Sequence, residues 1–248
     1  MPKFTDNMET KQVGATNFSF SHVDIKTLGA TEYTLVGLVA DVSGSVCGYG
    51  ASLEKMVKEV VAACRKSPRA DNLQIQVMTF NNTVHEFHGF RPLPQCNEDD
   101  YTGLIRAHGM TALYDATYNA IKSLSQYGAD LQKQDFSVNA ALFVITDGED
   151  NQSTVSRAMV KKAMEDARSS EVLESIMPVL IGVGDGSDVA NLNSYLTAFK
   201  DEAGFQQYVA LGEATQANLA KLGGFISKSI SSQSQSLGTG GPSQSLTF

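Results

Sequence analysis

The sequence predicts an α/β fold: a doubly wound, mostly parallel central sheet with one antiparallel edge strand and helices on both faces. Three observations carry this. Apolar runs of strand length alternate with segments of helical periodicity over most of the 248 residues. Two of those runs, Tyr33–Ala40 and Ala140–Ile145, are almost continuously apolar, as in parallel strands buried on both faces. Each leads directly into a loop with a carboxylate, Asp41 and Asp147. Open α/β sheets place their ligand sites at that strand edge.

The elements follow in order. Residues 1–16 are polar and read as mobile. Asn17–Ile25 places Phe18 and Phe20 on one side and reads as an added edge strand before the main sheet. After the strand ending near Asp41, a glycine-rich turn over Gly44–Gly50 leads to a helix near Ser52–Lys66. Its Leu53, Met56, Val57, Val60, Val61 and Cys64 share one face, and Pro68 stops it. Leu73–Phe80 and Thr83–Phe90 flank Asn81-Asn82 and read as an antiparallel hairpin. Pro92 and Pro94 mark a loop, with a short helix over Glu98–Ile105. The next helix covers Ala112–Tyr127, with Asp115 in its first turn, where a carboxylate suits the positive end of the helix dipole. The strand to Thr146, a helix over Val155–Ser169, a strand over Ile176–Val183, a helix over Val189–Phe199, a strand at Phe205–Val209 and a helix over Ala214–Ile230 complete the alternation. Pro178 is an anomaly inside its strand. The division is thus an N-terminal extension at 1–31, one domain at 32–230, and a Ser/Gln/Gly-rich flexible tail at 231–248, in which only Leu246-Thr247-Phe248 could anchor to something.

Composition narrows the function. A net charge of −8 without a basic block argues against binding nucleic acid by neutralising phosphates. No apolar run approaches the roughly 20 residues that cross a bilayer, and the start Met1–Asn7 lacks the apolar region of a secretory signal. Cys47, Cys64 and Cys96 are odd in number and fit no zinc spacing, which points to a reduced, cytoplasmic protein.

The chemistry concentrates in Asp41-Val42-Ser43-Gly44-Ser45, in Gly109-Met110-Thr111-Ala112-Leu113, and in Thr146-Asp147-Gly148-Glu149. Hard oxygen donors on loops at one sheet edge suit Mg²⁺ or a similar cation. Ser43 and Ser45 are two apart, and Gly44 between them has no Cβ to block a turn that aims both hydroxyls at one point.

This D-x-S-x-S, Thr turn and T-D-G, in this order, resemble the von Willebrand factor type A domain with its metal-ion-dependent adhesion site. The resemblance covers roughly residues 32–230 and implies a Rossmann-like fold. It further implies that Ser43, Ser45 and Thr111 offer hydroxyls to Mg²⁺, or to Mn²⁺ or Ca²⁺, and that Asp41 and Asp147 act directly or through water. A protein partner's Asp or Glu would then complete the metal's shell. The chain resembles stand-alone intracellular microbial or viral members, which work in assemblies, for example with AAA+ ATPases or with kinase and phosphatase partners. No catalytic residue is expected.

Tyr49, His108, Met110, Glu149 and Asp150 are candidates for a partner-binding rim. Each has a plainer reading: turn packing for Tyr49 and Met110, a backbone-bonded loop histidine for His108, and a solvated acidic loop for Glu149 and Asp150. His85 and His88 are an odd distance apart on a strand and face opposite sides. Cys47 reads as structural and Cys64 as core, and Gly182-x-Gly184-x-Gly186 reads as a tight turn.

The rival class is an Mg²⁺-dependent hydrolase like the haloacid dehalogenase-type phosphatases, with Asp41 as nucleophile. That chemistry needs a second Asp two residues on, where this chain has Ser43, and no clear phosphate-clamping lysine stands on a matching turn apart from Lys161 or Lys162. A third reading is a scaffold in which the metal only braces loops.

Overall fold

A computed structural model describes residues 8–13, 18–184, 189–239 and 246–248. Its sheet has eight strands: β1 (Met8–Gln12), β2 (Ser19–Val23), β3 (Glu32–Asp41), β4 (Leu73–Phe80), β5 (Val84–Pro92), β6 (Ser137–Thr146), β7 (Ile176–Gly184) and β8 (Gln207–Glu213). They lie in the order β1-β2-β5-β4-β3-β6-β7-β8. From β4 to β8 every neighbouring pair is parallel, and β5 joins β4 antiparallel, as the hairpin reading expects. Five helices complete the fold: α1 (Gly50–Arg65), α2 (Leu113–Gln132), α3 (Arg157–Ser169), α4 (Val189–Ala203) and α5 (Gln216–Thr239).

The helices divide between the two faces. Leu53, Met56, Val57, Val60 and Val61 of α1 share a core with Leu219, Leu222, Phe225 and Ile226 of α5 against Val36, Leu38, Val77, Phe143 and Ile181. The opposite core joins α2, α3 and α4 to Leu35, Val39, Met78, Leu142 and Leu180. Alternate residues along each strand thus feed opposite cores, which is why these strands read as continuous apolar runs.

This arrangement locates a crevice. The chain leaves β3 for α1 on one face and leaves β6 for α3 on the other. β3 and β6 are neighbours, so their C-terminal ends flank the topological switch point of the sheet, where the two loops diverge. Asp41 ends β3, and Asp147 follows the last residue of β6.

Three expectations change. Part of the 1–16 stretch is ordered, because β1 pairs along five residues with β2 and Lys11 forms an ion pair with Asp130 of α2. The sheet therefore continues beyond β5 through β2 and β1. β2 reaches β5 because Gly89 has no side chain; a Cβ there would sit 1.9 Å from the Ser21 carbonyl oxygen. The Glu86 carboxylate then accepts from the Ser21 N–H at 2.9 Å, replacing ladder bonds.

The last helix does not stop at Ile230 with a flexible tail beyond it. α5 runs to Thr239, and Gln233, Ser234 and Leu237 are buried. Polar residues are held here because β6 and the segment after α1 offer polar partners. Asn139 Nδ2 donates to the Gln233 carbonyl at 2.7 Å, Gln233 Nε2 donates to the Ala140 carbonyl at 3.1 Å, and Arg69 Nε donates to Ser234 Oγ at 2.9 Å.

Pro178 also finds its reason. Its carbonyl faces β8 and accepts from Gln206 N at 3.0 Å, just before the β7–β8 ladder begins at Val179 and Gln207. The N–H that proline lacks would point toward that same unladdered side, so no ladder bond is lost. The Asp185–Gly186 end of the glycine turn lies outside the described residues.

Candidate metal centre

The loops at the switch point are built from mutual backbone bonds. The loop after β3 is tied to the Thr111 loop by Gly44 N to the Gly109 carbonyl at 3.0 Å and His108 N to the Val42 carbonyl at 2.9 Å. The β4–β5 turn holds the same loop from the other side, through Ala112 N to the Asn81 carbonyl at 2.8 Å and Met110 N to Asn82 Oδ1 at 3.1 Å. Gly109 makes that contact possible. Its φ is +82°, and a Cβ there would lie 2.0 Å from Asn82 Oδ1.

Thr111 is clamped by the loop after β6. Its N–H donates to Asn151 Oδ1 at 2.8 Å, and its carbonyl accepts from Asn151 N at 3.0 Å. Its hydroxyl faces Gly148, where a Cβ would come within 3.5 Å of Thr111 Oγ1. The Thr111 hydroxyl is therefore beside the residue that follows Asp147.

The other four proposed ligands meet directly. Ser43 Oγ and Ser45 Oγ are 3.0 Å apart, and Ser45 Oγ donates to Asp147 Oδ1 at 2.8 Å. Ser43 Oγ lies 3.5 Å from the same oxygen. Asp41 accepts at Oδ1 from the Ser43 N–H at 2.8 Å and at Oδ2 from the Thr146 hydroxyl at 2.7 Å. Asp41, Ser43 and Thr111 are buried, Asp147 is half-buried, and Ser45 is exposed, so the cluster opens to solvent on the Ser45 side.

The electrostatics of the bare cluster are unfavourable. Burial, and then the neighbouring Asp147 charge, push the Asp41 carboxyl up to about 6, against the hydrogen bonds from Thr146 and Ser43. Burial also raises Asp147, opposed by donors from Tyr49, Ser45 and Ser43. Two crowded carboxylates hold protons more tightly than in water, and a cation beside them relieves that cost.

The donor set fits a hard divalent ion. Among the described residues no three His, Cys, Asp or Glu side chains converge on a point, so a soft-ligand zinc site is not what these residues build. Oxygens held 2.0–2.1 Å from Mg²⁺ in an octahedron are about 2.9 Å apart along an edge. The Ser43–Ser45 spacing of 3.0 Å and the Ser45–Asp147 spacing of 2.8 Å match two such edges.

The rim candidates separate. Tyr49 is not merely turn packing: its hydroxyl donates to Asp147 Oδ2 at 2.6 Å. Asp150 is structural. Its Oδ1 accepts from the Tyr114 N–H at 3.2 Å and so caps the start of α2, while its own N–H donates to the Tyr195 hydroxyl at 3.0 Å. Asp115 lies in the first turn of α2 as expected and accepts from Thr154 N at 3.0 Å and Val155 N at 2.8 Å. The His108 ring is pinned between the Arg106 carbonyl at 2.7 Å and Asn81 Nδ2 at 3.0 Å. Neutral imidazole with its proton on Nδ1 satisfies both contacts. Glu149 is exposed, and Met110 is 45% exposed. His85 is exposed and His88 buried, yet they do not face opposite sides as expected: a bulge in β5 sets His85 opposite Thr79 and His88 opposite Val77, two residues on one face of β4.

No family model matches the chain, and a search of characterised proteins found no similar sequence. Solved structures do match. One is the von Willebrand factor type A protein from Catenulispora acidiphila, at TM-score 0.57 and 13% identity, over 83% of this chain and 43% of that one. The fold is a von Willebrand factor type A fold. Two further structures share it. The PilB minor pilin from Streptococcus sanguinis aligns at TM-score 0.60 and 16% identity, over 86% of this chain and 64% of that one. Proximal thread matrix protein 1 from the mussel byssus, with zinc in its metal-ion-dependent adhesion site, aligns at TM-score 0.54 and 15% identity, over 83% of this chain and 47% of that one. The chain thus spans less than two thirds of each of these proteins.

Within this von Willebrand A fold, four contributors to the site escaped the sequence reading. Thr146 anchors Asp41, Asn151 fixes Thr111, Asn82 receives the Gly109 turn, and Tyr195 steadies the loop of Asp150. Thr146 opens the T-D-G-E-D run and Asn151 follows it, so both were open to suspicion. Nothing local marks Asn82 or Tyr195, which come from other segments of the chain.

Proposed function

We propose that this chain is a divalent-cation-dependent protein-interaction module. The observation that carries the reading is the convergence of three hydroxyls and two carboxylates from three separate loops at the switch point of the sheet. Ser43, Ser45 and Thr111 would hold Mg²⁺, Mn²⁺ or Ca²⁺ through their hydroxyls, with Asp147 and Asp41 balancing its charge. The bound ion supplies an electrophilic position for one carboxylate oxygen of a partner. The exposed Met110 and Glu149 stand beside it as the surface that tells partners apart. The solved mussel protein with zinc in its adhesion site supports metal binding by such a fold.

The geometry favours binding over hydrolysis. Asp41 would be the nucleophile of a phosphatase, yet it is 1% exposed and both its oxygens are occupied by Ser43 and Thr146. Such burial supports a binding role over attack on an incoming phosphate.

Three free cysteines, two of them buried, support our expectation of a reducing compartment, and no helix among the described residues is long and apolar enough to cross a membrane. Association with AAA+ ATPases or with kinase and phosphatase partners belongs to the same proposal.

The test is water-proton relaxation with Mn²⁺. An interaction site with an open coordination position gives strong enhancement, because bound water exchanges with bulk, and acetate or an acidic peptide lowers it. A scaffold metal with a closed shell gives little enhancement and no response to carboxylate. Wild-type protein that shows no enhancement while Mn²⁺ is bound overturns the interaction reading.

A further inference from the structure

On the face opposite α2, one groove is bordered by a distant piece of the chain. It runs along α5 beside Lys221, Gly224, Phe225 and Lys228, with Leu246, Thr247 and Phe248 as its other wall, and about 500 Å³ between them stays open. Phe248 meets Phe225 edge to face, with ring centroids 5.7 Å apart and planes at 90°. Leu246 packs against the α1–α5 core, and its carbonyl accepts from Gln207 Nε2 at 3.1 Å, at the first residue of β8. Gly224 is exposed, with nothing within 4 Å of where a Cβ would be, so the floor of the groove is open at that point. The two lysines lie one turn to either side of it, and their methylene stems suit the walls of an apolar groove.

The seat is partial. Phe248 remains 50% exposed, and Leu246 is half-buried. The preceding sequence, Gly240-Gly241-Pro242-Ser243-Gln244-Ser245, has Pro242 as its one apolar side chain. Among the described residues, this segment meets the domain through the Leu246 and Phe248 side chains and the Leu246 carbonyl. Those are the features of a peptide in a docking groove: alternate apolar residues as anchors and a main-chain bond fixing the direction.

We propose that the α5 groove is a docking site for a short extended segment of the pattern Leu-x-Phe, and that the chain occupies it in cis with its own Leu246–Phe248. The contact is independent of the cation site, which lies at the strand ends.

A tethered segment competes with a free one at an effective concentration in the millimolar range. The experiment uses the full chain and a fluorescent peptide of residues 243–248. In the variant Leu246→Ser with Phe248→Ser the groove is vacated, and the peptide should bind saturably, at least tenfold more tightly than to wild type. Gly224→Leu, added to that variant, fills the groove at an exposed helix position where the fold tolerates it, and should abolish the signal. No binding to the vacated variant, equal binding to wild type, or indifference to Gly224→Leu overturns the proposal. So does a concentration-dependent dimer of wild type that Phe248→Ser dissolves, since the segment would then sit in a second copy.

Discussion

The Tyr49 hydroxyl donates to Asp147 Oδ2 at 2.6 Å while Ser45 donates to Oδ1 at 2.8 Å, so every oxygen of that carboxylate is committed. Tyr49 follows the short 3-10 turn Gly44–Gly48 and precedes α1, so one segment supplies both the serines and the hydroxyl that orients the facing aspartate. Removing that hydroxyl should cost about 1 kcal/mol. Tyr49→Phe is expected to lower stability by that amount in urea unfolding with EDTA, while the stabilising response to Mg²⁺ persists. Loss of the response in Tyr49→Phe would mean that the tyrosine is itself a ligand.

Asp41→Asn should stabilise the metal-free protein. The folded protein holds the Asp41 proton up to about pH 6 against 3.8 for an ordinary aspartate, so its contribution favours folding at low pH and is lost as pH rises through 6. Asparagine keeps an acceptor for the Ser43 N–H and offers Nδ2–H to Thr146. At pH 7 and in EDTA the variant is expected to be more stable by about 1–3 kcal/mol, and to have lost its response to cations. A destabilised variant would contradict this electrostatic account.

Asn151→Ala leaves the Thr111 N–H without its acceptor. The expected loss is about 1–3 kcal/mol, together with a several-fold weaker cation midpoint in a Mg²⁺ titration followed by calorimetry. Asn151→Asp, which keeps an acceptor oxygen, should restore most of the stability. Unaltered midpoints in both variants would show that Thr111 is held by other means.

His88 predicts acid sensitivity. Burial, and then the nearby Arg91 charge, lower it from 6.5 to about 3, and its neutral ring bridges the Gly89 carbonyl and the Tyr101 hydroxyl. The unfolded chain binds a proton there that the folded one refuses. The stability this represents is complete above about pH 6.5 and drains away as pH falls toward 3. Urea midpoints of wild type should drop more steeply between pH 7 and pH 4.5 than those of His88→Gln. Parallel profiles would show that the ring is accessible to protons.

The end of α5 makes a further prediction. Ending the chain after Ile230 removes Leu237, the Gln233 bonds to the sheet and the Ser234 bond to Arg69. The expected loss is at least about 2 kcal/mol in urea unfolding. An unchanged midpoint would mean that the last helical turns contribute nothing.

Much of the architecture was legible because buried parallel strands and amphipathic helices write their periodicity directly into sequence. Tyr33–Ala40, Leu53–Cys64 and Leu73–Phe80 all show it. The candidate site was legible as a cluster because its residues lie in three short contiguous motifs. What stayed hidden depends on distant partners. Gln233 and Ser234 look like tail composition until Asn139 and Arg69 are beside them. Met8–Gln12 has no strand pattern of its own and is ordered by β2 and Asp130. Asp150 reads as a rim acid but is used as a helix cap, because a carboxylate serves either purpose and only the position of the α2 N-terminus decides.

The most direct measurement is thermal unfolding of wild type and Ser43→Ala in EDTA and with increasing Mg²⁺ or Mn²⁺. A cation at about 100 times its Kd should add roughly 2.7 kcal/mol to wild type, and Ser43→Ala should show no rise. A wild type indifferent to every divalent cation, or a Ser43→Ala that rises equally, would contradict the assignment of the β3–β6 crevice as a metal site.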